Sequence, residues 1–163
     1  MGQRILIFKL FFFFFFVLFF NQNVQAIKLI EGKAKVIDGD TINIENNKIR
    51  LYGIDAPEKD QTCRYEDLEW NCGIKSKIFL TELIDNKNLY CEVNDIDRYK
   101  RYVAICFLNN LNINKTMVRS GWSIAYRYYS TQYIKDEEIA KKNKLGIWKG
   151  EFEEPYIFRK NKK

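Results

Sequence analysis

Two cysteines placed symmetrically about one turn restrict this chain more than any other feature. Leu89, Cys91 and Val93 alternate with polar neighbours as a half-buried strand does, residues 97–100 carry turn chemistry, and Val103, Ala104, Ile105, Cys106 and Phe107 form a returning strand. With the turn centred between Arg98 and Tyr99, paired positions sum to 197, which sets Cys91 opposite Cys106. Opposed residues on antiparallel strands lie about 4.5–5.5 Å apart at Cα, within disulfide range. Cys63 is then left to pair with Cys72, clipping a long loop. Four cysteines also raise the question of zinc, but no Cys-x-x-Cys pair occurs and the spacings of 9, 19 and 15 match no common zinc pattern. Each bridge contributes on the order of 3 kcal/mol in the chain-entropy account.

Disulfides call for an oxidising compartment, and the first residues supply a route to one. Met1-Gly2-Gln3-Arg4 is a short basic start, residues 10–20 are an apolar run, and a polar stretch ends in Val24-Gln25-Ala26. This is the pattern of a secretory signal peptide cleaved after Ala26. A membrane anchor is the alternative, but the 11-residue run is far short of the roughly 20 a spanning helix needs. No cysteine follows the cleavage point, so no lipid anchor is indicated. Nine of the 13 Phe lie between Phe8 and Phe20, so a leader rather than a core holds most of the phenylalanine. The expected organisation is a signal peptide at 1–26, one domain at 27–150 and a frayed basic tail at 151–163. The expected product is an exported monomer, periplasmic or extracellular, with no stable membrane association. Cleavage removes Arg4 and Lys9 and lowers the formal charge from +6 to +4, a modest excess compatible with a polyanionic partner.

Within the domain, residues 27–38 alternate as a strand, and 41–45 with 48–54 form a hairpin turning at Asn46-Asn47. Residues 55–72 lack periodicity and carry Pro57, which predicts a long loop. Helical spacing of Ile74, Ile78, Leu83 and Ile84 predicts a helix over 73–86. A second helix is expected from 112 or 113 to 120, stopped by Gly121, and a third over 131–145, stopped by Gly146, with Trp148 packing back. The order β-β-β-α-β-β-α-α predicts a mainly β, α+β fold: a five-stranded Greek-key barrel of the OB type with about three helices.

The sequence contains no histidine. That excludes Ser-His-Asp and Cys-His catalysis, His-based zinc sites and an imidazole general base. Acid–base chemistry must come from carboxylates, Lys, Tyr, Arg or a metal-bound water. Asp40 follows Asp38-Gly39 at a turn, Arg50 ends a strand's polar face, Asp55 and Glu58 flank Ala56-Pro57, and Asp97-Arg98-Tyr99-Lys100-Arg101 forms a hairpin tip. Each of these taken singly reads as ordinary turn chemistry.

Taken in order, the runs Val36-Ile37-Asp38-Gly39-Asp40-Thr41, Ile49-Arg50-Leu51-Tyr52-Gly53-Ile54-Asp55-Ala56-Pro57-Glu58 and Asp97-Arg98-Tyr99-Lys100-Arg101 resemble the thermonuclease (staphylococcal nuclease-like) family. Gly121-Trp122, Ala125-Tyr126-Arg127-Tyr128 and Leu145-Gly146-Ile147-Trp148 also fit, so the resemblance spans roughly residues 33–149. It implies a calcium-dependent endonuclease acting on DNA and RNA. Carried over position by position, Asp40, Asp55 and the Ala56 carbonyl would ligate Ca²⁺, Glu58 would be the general base, and Arg50 and Arg101 would grip the phosphate. Arg98 and Tyr99 would contact a terminal phosphate, and Tyr126 and Tyr128 would line the base or phosphate pocket. Ordinary barrel packing is an equal reading of the last two.

The chemistry is coherent without the family. A phosphodiester is anionic and repels hydroxide, and a divalent cation with two permanently charged guanidiniums neutralises it. Hard carboxylate oxygens suit Ca²⁺. Two departures stand out: Lys100 occupies a position where the family usually has Gly, and the 55–72 loop carries acidic Glu66, Asp67 and Glu69. A catalytically weak or inactive OB-type module that only binds nucleic acid is the alternative.

Overall fold

Residues 27–162 are described by the computed structural model; the expected signal peptide lies outside the described residues. Strands β1 (Lys28–Val36), β2 (Thr41–Ile44) and β3 (Asn47–Leu51) form an antiparallel meander. Its second turn is Glu45-Asn46, one residue earlier than the sequence predicts, because Ile44 pairs with Asn47. Both turn residues take positive φ, 47° and 68°, the requirement of a two-residue hairpin whose twist matches the strands.

After Gly53 the chain continues as β4 (Ile54–Asp55), and the acidic loop holds its own small hairpin of β5 (Cys63–Tyr65) and β6 (Leu68–Trp70). Helix α1 (Cys72–Ile84) precedes β7 (Asn88–Ile96) and β8 (Tyr102–Leu108). These two strands pair in the expected register from Tyr90 to Val93, with Cys91 opposite Cys106 and a disulfide between them at a Cα separation of 4.0 Å. A bulge between Val93 and Asp95 then shifts the pairing by one residue towards the turn. Cys63 and Cys72 form the second bridge.

The sheet order β3-β2-β1-β7-β8 closes on itself where β3 meets β8 in parallel, with Arg50 opposite Val103. The result is the five-stranded OB-type barrel, α+β in class. Inside it lie Ile42, Ile44, Ile49, Leu51, Leu89, Ala104 and the Cys91–Cys106 bridge, packed with Leu80 and Ile84 of α1. Strand β9 (Leu111–Asn112) extends β8 and leads into α2 (Ile113–Arg119), which adds Ile113, Met117 and Val118 to that core. Strand β10 (Ile124–Ala125) pairs with β4.

Helix α3 (Ile134–Lys142) is shorter than the 131–145 expected. Tyr133 marks its start and is buried against Gly53, so residues 131–133 follow the packing of that ring rather than a helical path. A single 3₁₀ turn (Gly146–Lys149) follows. The tail differs most from expectation: Glu151 bridges to Arg64, and Pro155–Asn161 form a fourth helix, α4, with proline at its first turn. A second apolar cluster of Cys63, Cys72, Ile124, Ile147, Trp122, Trp148 and Phe152 roots this segment beside the disulfide.

Two buried polar side chains lock the frame. Asn114 accepts from Cys106 N (3.0 Å) and donates to the Tyr52 and Ala104 carbonyls (2.9 and 3.1 Å), pinning the parallel seam. Glu137 accepts from Ala125 N (3.0 Å), from Arg127 and from Lys141 (2.8 Å), so it braces β10 from α3. Burial favours a neutral Glu137, but the hydrogen bonds from Arg127, Lys141 and Ala125 more than offset it and hold the pKa below the usual value.

Asn114→Ala leaves the Cys106 N–H and the Tyr52 carbonyl unpaired, while the Ala104 carbonyl keeps its bond from Tyr52 N, and should cost about 2–3 kcal/mol, read as a lower urea midpoint at unchanged slope. Glu137→Gln should cost about 2 kcal/mol at pH 7, since a hydrogen bond to a charged group contributes more than a neutral one. Because the folded pKa is depressed, Glu137 stabilises the fold above its unfolded pKa, and that contribution fades as pH falls through the lower folded value. The gap between parent and Glu137→Gln should therefore close on acidification, which unfolding curves from pH 7 down to pH 3 will test.

Candidate active site

The site is assembled from four segments that turns bring to one place. Thr41 on β2 is the register partner of Arg50 on β3, so Asp40, one residue earlier, comes within reach of the guanidinium. Gly53 takes φ +73° and lies against Tyr133, turning the chain sharply after β3. That turn sends Ile54 and Asp55 onto β10, where Asp55 pairs with Ile124. A Cβ at Gly73, in the first turn of α1, would collide with the Glu58 carbonyl, so glycine there lets the Glu58 loop seat on the helix.

Asp40 and Asp55 are 4% and 0% exposed, and Arg50 bridges them. Its Nη1 donates to Asp40 Oδ1 at 2.9 Å and its Nη2 to Asp55 Oδ1 at 2.8 Å. Asp40 Oδ2 also accepts from Ala56 N (3.0 Å) and Oδ1 from Thr41 Oγ1 (2.9 Å). Burial raises the pKa of Asp40, but Arg50 and these hydrogen bonds outweigh it and keep the carboxyl ionised below its usual range. Asp55 is pushed the other way, by burial first and by the charge of Asp40 second, against hydrogen bonds from Arg159. Asp38, whose Oδ1 accepts from the Asp40 backbone N–H (3.0 Å), is raised to about 7 by burial and by Asp40's charge.

Glu58 sits at the open side, with its side chain 35% exposed. Gln61 fixes the loop: its Oε1 accepts from Glu58 N at 3.1 Å and its Nε2 donates to the Glu153 carbonyl at 2.7 Å. Arg101 is not in contact with this cluster. Asp97 holds it, accepting from Arg101 N (3.0 Å), Arg101 Nε (2.7 Å) and Tyr99 N (2.9 Å). Lys100 adopts φ +61°, the left-handed conformation a glycine would take, so the tip keeps a tight turn despite the lysine. Arg101 immediately precedes β8 and lies two residues before Val103, Arg50's register partner.

Arg98 donates to Tyr99 Oη (2.8 Å), and both stand at the same exposed tip. Tyr126 follows β10, and its N–H donates to the Gly53 carbonyl. Burial and the nearby Asp55 charge raise its pKa. Tyr128 is 82% exposed, which removes barrel packing as its role. Its ring lies 6.2 Å from that of Tyr126 and 5.1 Å from that of Tyr129, so three tyrosines rather than two form the aromatic patch.

The residue that sequence reasoning missed is Arg159. From α4 its Nη1 donates to Asp55 Oδ1 (2.9 Å) and Glu58 Oε1 (2.7 Å), and its Nη2 to Asp55 Oδ2 (3.0 Å). No group of three acidic, His or Cys side chains among the described residues forms a ready metal cage. Even so, a cationic group already bridges Asp55 and Glu58, and buried carboxylates are the hard donors that a Ca²⁺ ion takes, with water completing its shell. Chemically, the pocket is one for positive charge.

Residues 48–150 match the family described as staphylococcal nuclease homologue. Asp40 and Arg159 fall outside that span. Among similar proteins, the succinoglycan biosynthesis protein ExoI of Rhizobium meliloti (strain 1021) is 32% identical over 138 residues, covering 82% of this chain and 72% of that protein. An uncharacterized endonuclease of Haemophilus influenzae is 36% identical over 121 residues, covering 70% of this chain and 63% of that protein. A micrococcal nuclease of Shigella flexneri is 29% identical over 147 residues and covers 79% of each. With the matched span taking in both strands that close the barrel and all but one of the expected site positions, the chain belongs to the staphylococcal nuclease homologue family.

Proposed function

We propose that this protein is a secreted, calcium-dependent endonuclease that hydrolyses phosphodiester bonds in DNA and RNA with little sequence specificity. The family makes it a hydrolase of the nuclease class. The observation that carries the finer reading is the hydrogen-bonded cluster of Asp40, Arg50 and Asp55, drawn from separate segments, which Glu58 joins through Arg159.

Asp40 and Asp55, with the Ala56 carbonyl, are the residues that would hold the ion. When bound, Ca²⁺ supplies positive charge against the phosphate and the entering oxygen. The chain's own groups do the rest. Glu58 is solvent-accessible and backbone-anchored, so it can take a proton from a water placed in line with the phosphorus. Arg50 stays protonated throughout, because Asp40 and Asp55 outweigh the effect of burial and raise its pKa. Its two carboxylate partners fix the fork before substrate arrives, and a preorganised charge costs no reorganisation when the phosphorane develops. Asp97 aims Arg101 from the turn between β7 and β8. Arg98 and Tyr99 suit a terminal phosphate, and Tyr126 and Tyr128 suit stacked bases. Stacking and phosphate contacts carry no sequence information, so broad specificity follows.

One observation favours the alternative of a catalytically weak binding module: Asp55 and Glu58 are both engaged by Arg159. Cleavage of single-stranded DNA and RNA by the mature protein separates the two. The endonuclease reading expects turnover with Ca²⁺, none with EDTA, and a loss of about 10²–10³ for Glu58→Gln or Arg50→Ala. Oligonucleotide binding without turnover under any divalent ion establishes the binding module instead. For export, intact mass of the protein from its native envelope should show Ile27 as the first residue and both disulfides formed; a retained leader or free thiols rules it out.

A further inference from the structure

We propose that Arg159 is a built-in substitute for the divalent cation, and that α4 is an autoinhibitory latch which the cation displaces. This rests on the calcium reading above and adds a regulatory state of the same site.

The guanidinium makes three hydrogen bonds of 2.7–3.0 Å to Asp55 and Glu58, one carboxylate assigned to the metal and the other to the base. In this state neither is free for its task. Asp40, Asp55 and Glu58 carry three negative charges, and Arg50 and Arg159 supply two positive ones. A divalent cation on Asp55 would take the carboxylate oxygens that Arg159 now holds. The two cations therefore compete for the same carboxylates, and binding of one weakens the other by an equal factor.

The way α4 is held matches displacement. The segment is rooted by apolar and backbone contacts: Phe152 packs on Trp148, and Glu151 exchanges hydrogen bonds of 2.7 and 2.8 Å with Arg64. Beyond that root Pro155 is the one buried residue of α4, while Tyr156 and Ile157 are exposed. The rest of the helix is tied down by charge, through Arg159 and through Lys162 on Asp60. An element with little buried apolar surface opens locally at low cost. The Pro155 junction can thus swing while the root stays fixed. Arg159 lies outside the 48–150 span that matches the family.

Calorimetric titration of CaCl₂ into the mature protein and into Arg159→Gln tests the competition directly. The variant should bind Ca²⁺ at least about fivefold tighter, the lower end of typical coupling. In the unmodified protein, limited trypsin cleavage after Arg159 and Lys160 should quicken as Ca²⁺ is added; this arm stands even if the variant folds poorly. Equal affinities, no Ca²⁺ binding by the variant, or cleavage unchanged at saturating Ca²⁺ overturns the latch. DNA cleavage measured on the same samples keeps the two readings apart. Tighter Ca²⁺ binding with no cleavage by either protein sinks the nuclease and leaves the latch, whereas cleavage with equal affinities does the reverse.

Discussion

Everything at the mouth of this barrel depends on burying two carboxylates beside each other. Asp40 and Asp55 are almost wholly removed from water, and an isolated ionised carboxylate does not tolerate that. Arg50 resolves it by reaching both, yet one guanidinium cannot balance two neighbouring negative charges together with Glu58. At an effective dielectric of about 20, two unit charges 4 Å apart interact by about 4 kcal/mol, so the unbalanced charge attracts any available cation strongly. The opposite pKa directions of the pair express this: Asp40 has Arg50 and hydrogen bonds from Ala56 and Thr41 on its side, while Asp55 leans on Arg159. A metal ion, a protein cation or a proton must complete the site.

The fold serves that requirement through turns rather than through long strands. Gly53 sends Asp55 off the barrel onto β10, and Glu137 fixes β10 from behind through Ala125. Glu58 is held by Gln61 on one side and by the close approach of Gly73 on the other. The seam between β3 and β8 carries Arg50, and Asn114 ties that seam at Tyr52 and Ala104. Most of these partners are remote in sequence, which is how a small barrel fixes the positions of its site side chains.

Local patterns made much of this legible in the sequence. The cysteine register needs only period-2 alternation and a turn centre, and the pairing found around Cys91 and Cys106 agrees with it until the bulge at Asp95. Asp40, Arg50, Asp55 and Glu58 fall within 19 consecutive positions, so ordered motifs could point to them. Arg159 lies 104 positions from Asp55 in a short run of Arg and Lys, where the ordinary expectation is a solvated tail. Nothing periodic marks α4: its contacts are ionic and tertiary, and a helix of 7 residues forms because Pro155 starts it and its partners hold it. The β5–β6 hairpin escaped for a similar reason, since strands of 3 residues carry no alternation and depend on the disulfide and on Glu151.

The second apolar cluster connects these late-appearing parts. The Cys63–Cys72 bridge sits in it with Trp148 and Phe152, so the acidic loop, the 3₁₀ turn and the root of α4 share one small core. Loop and tail are consequently coupled: Arg64 exchanges backbone hydrogen bonds with Glu151, and Gln61 grips both Glu58 N and the Glu153 carbonyl. The same contacts that hold Glu58 in place also deliver Arg159 to it. A segment with an apolar root and an ionic tip responds to charge without losing its anchorage, because salt or a divalent ion weakens only the tip. The acidic 55–72 loop is thus, in the folded protein, the mount for the segment that brings Arg159 to Asp55 and Glu58.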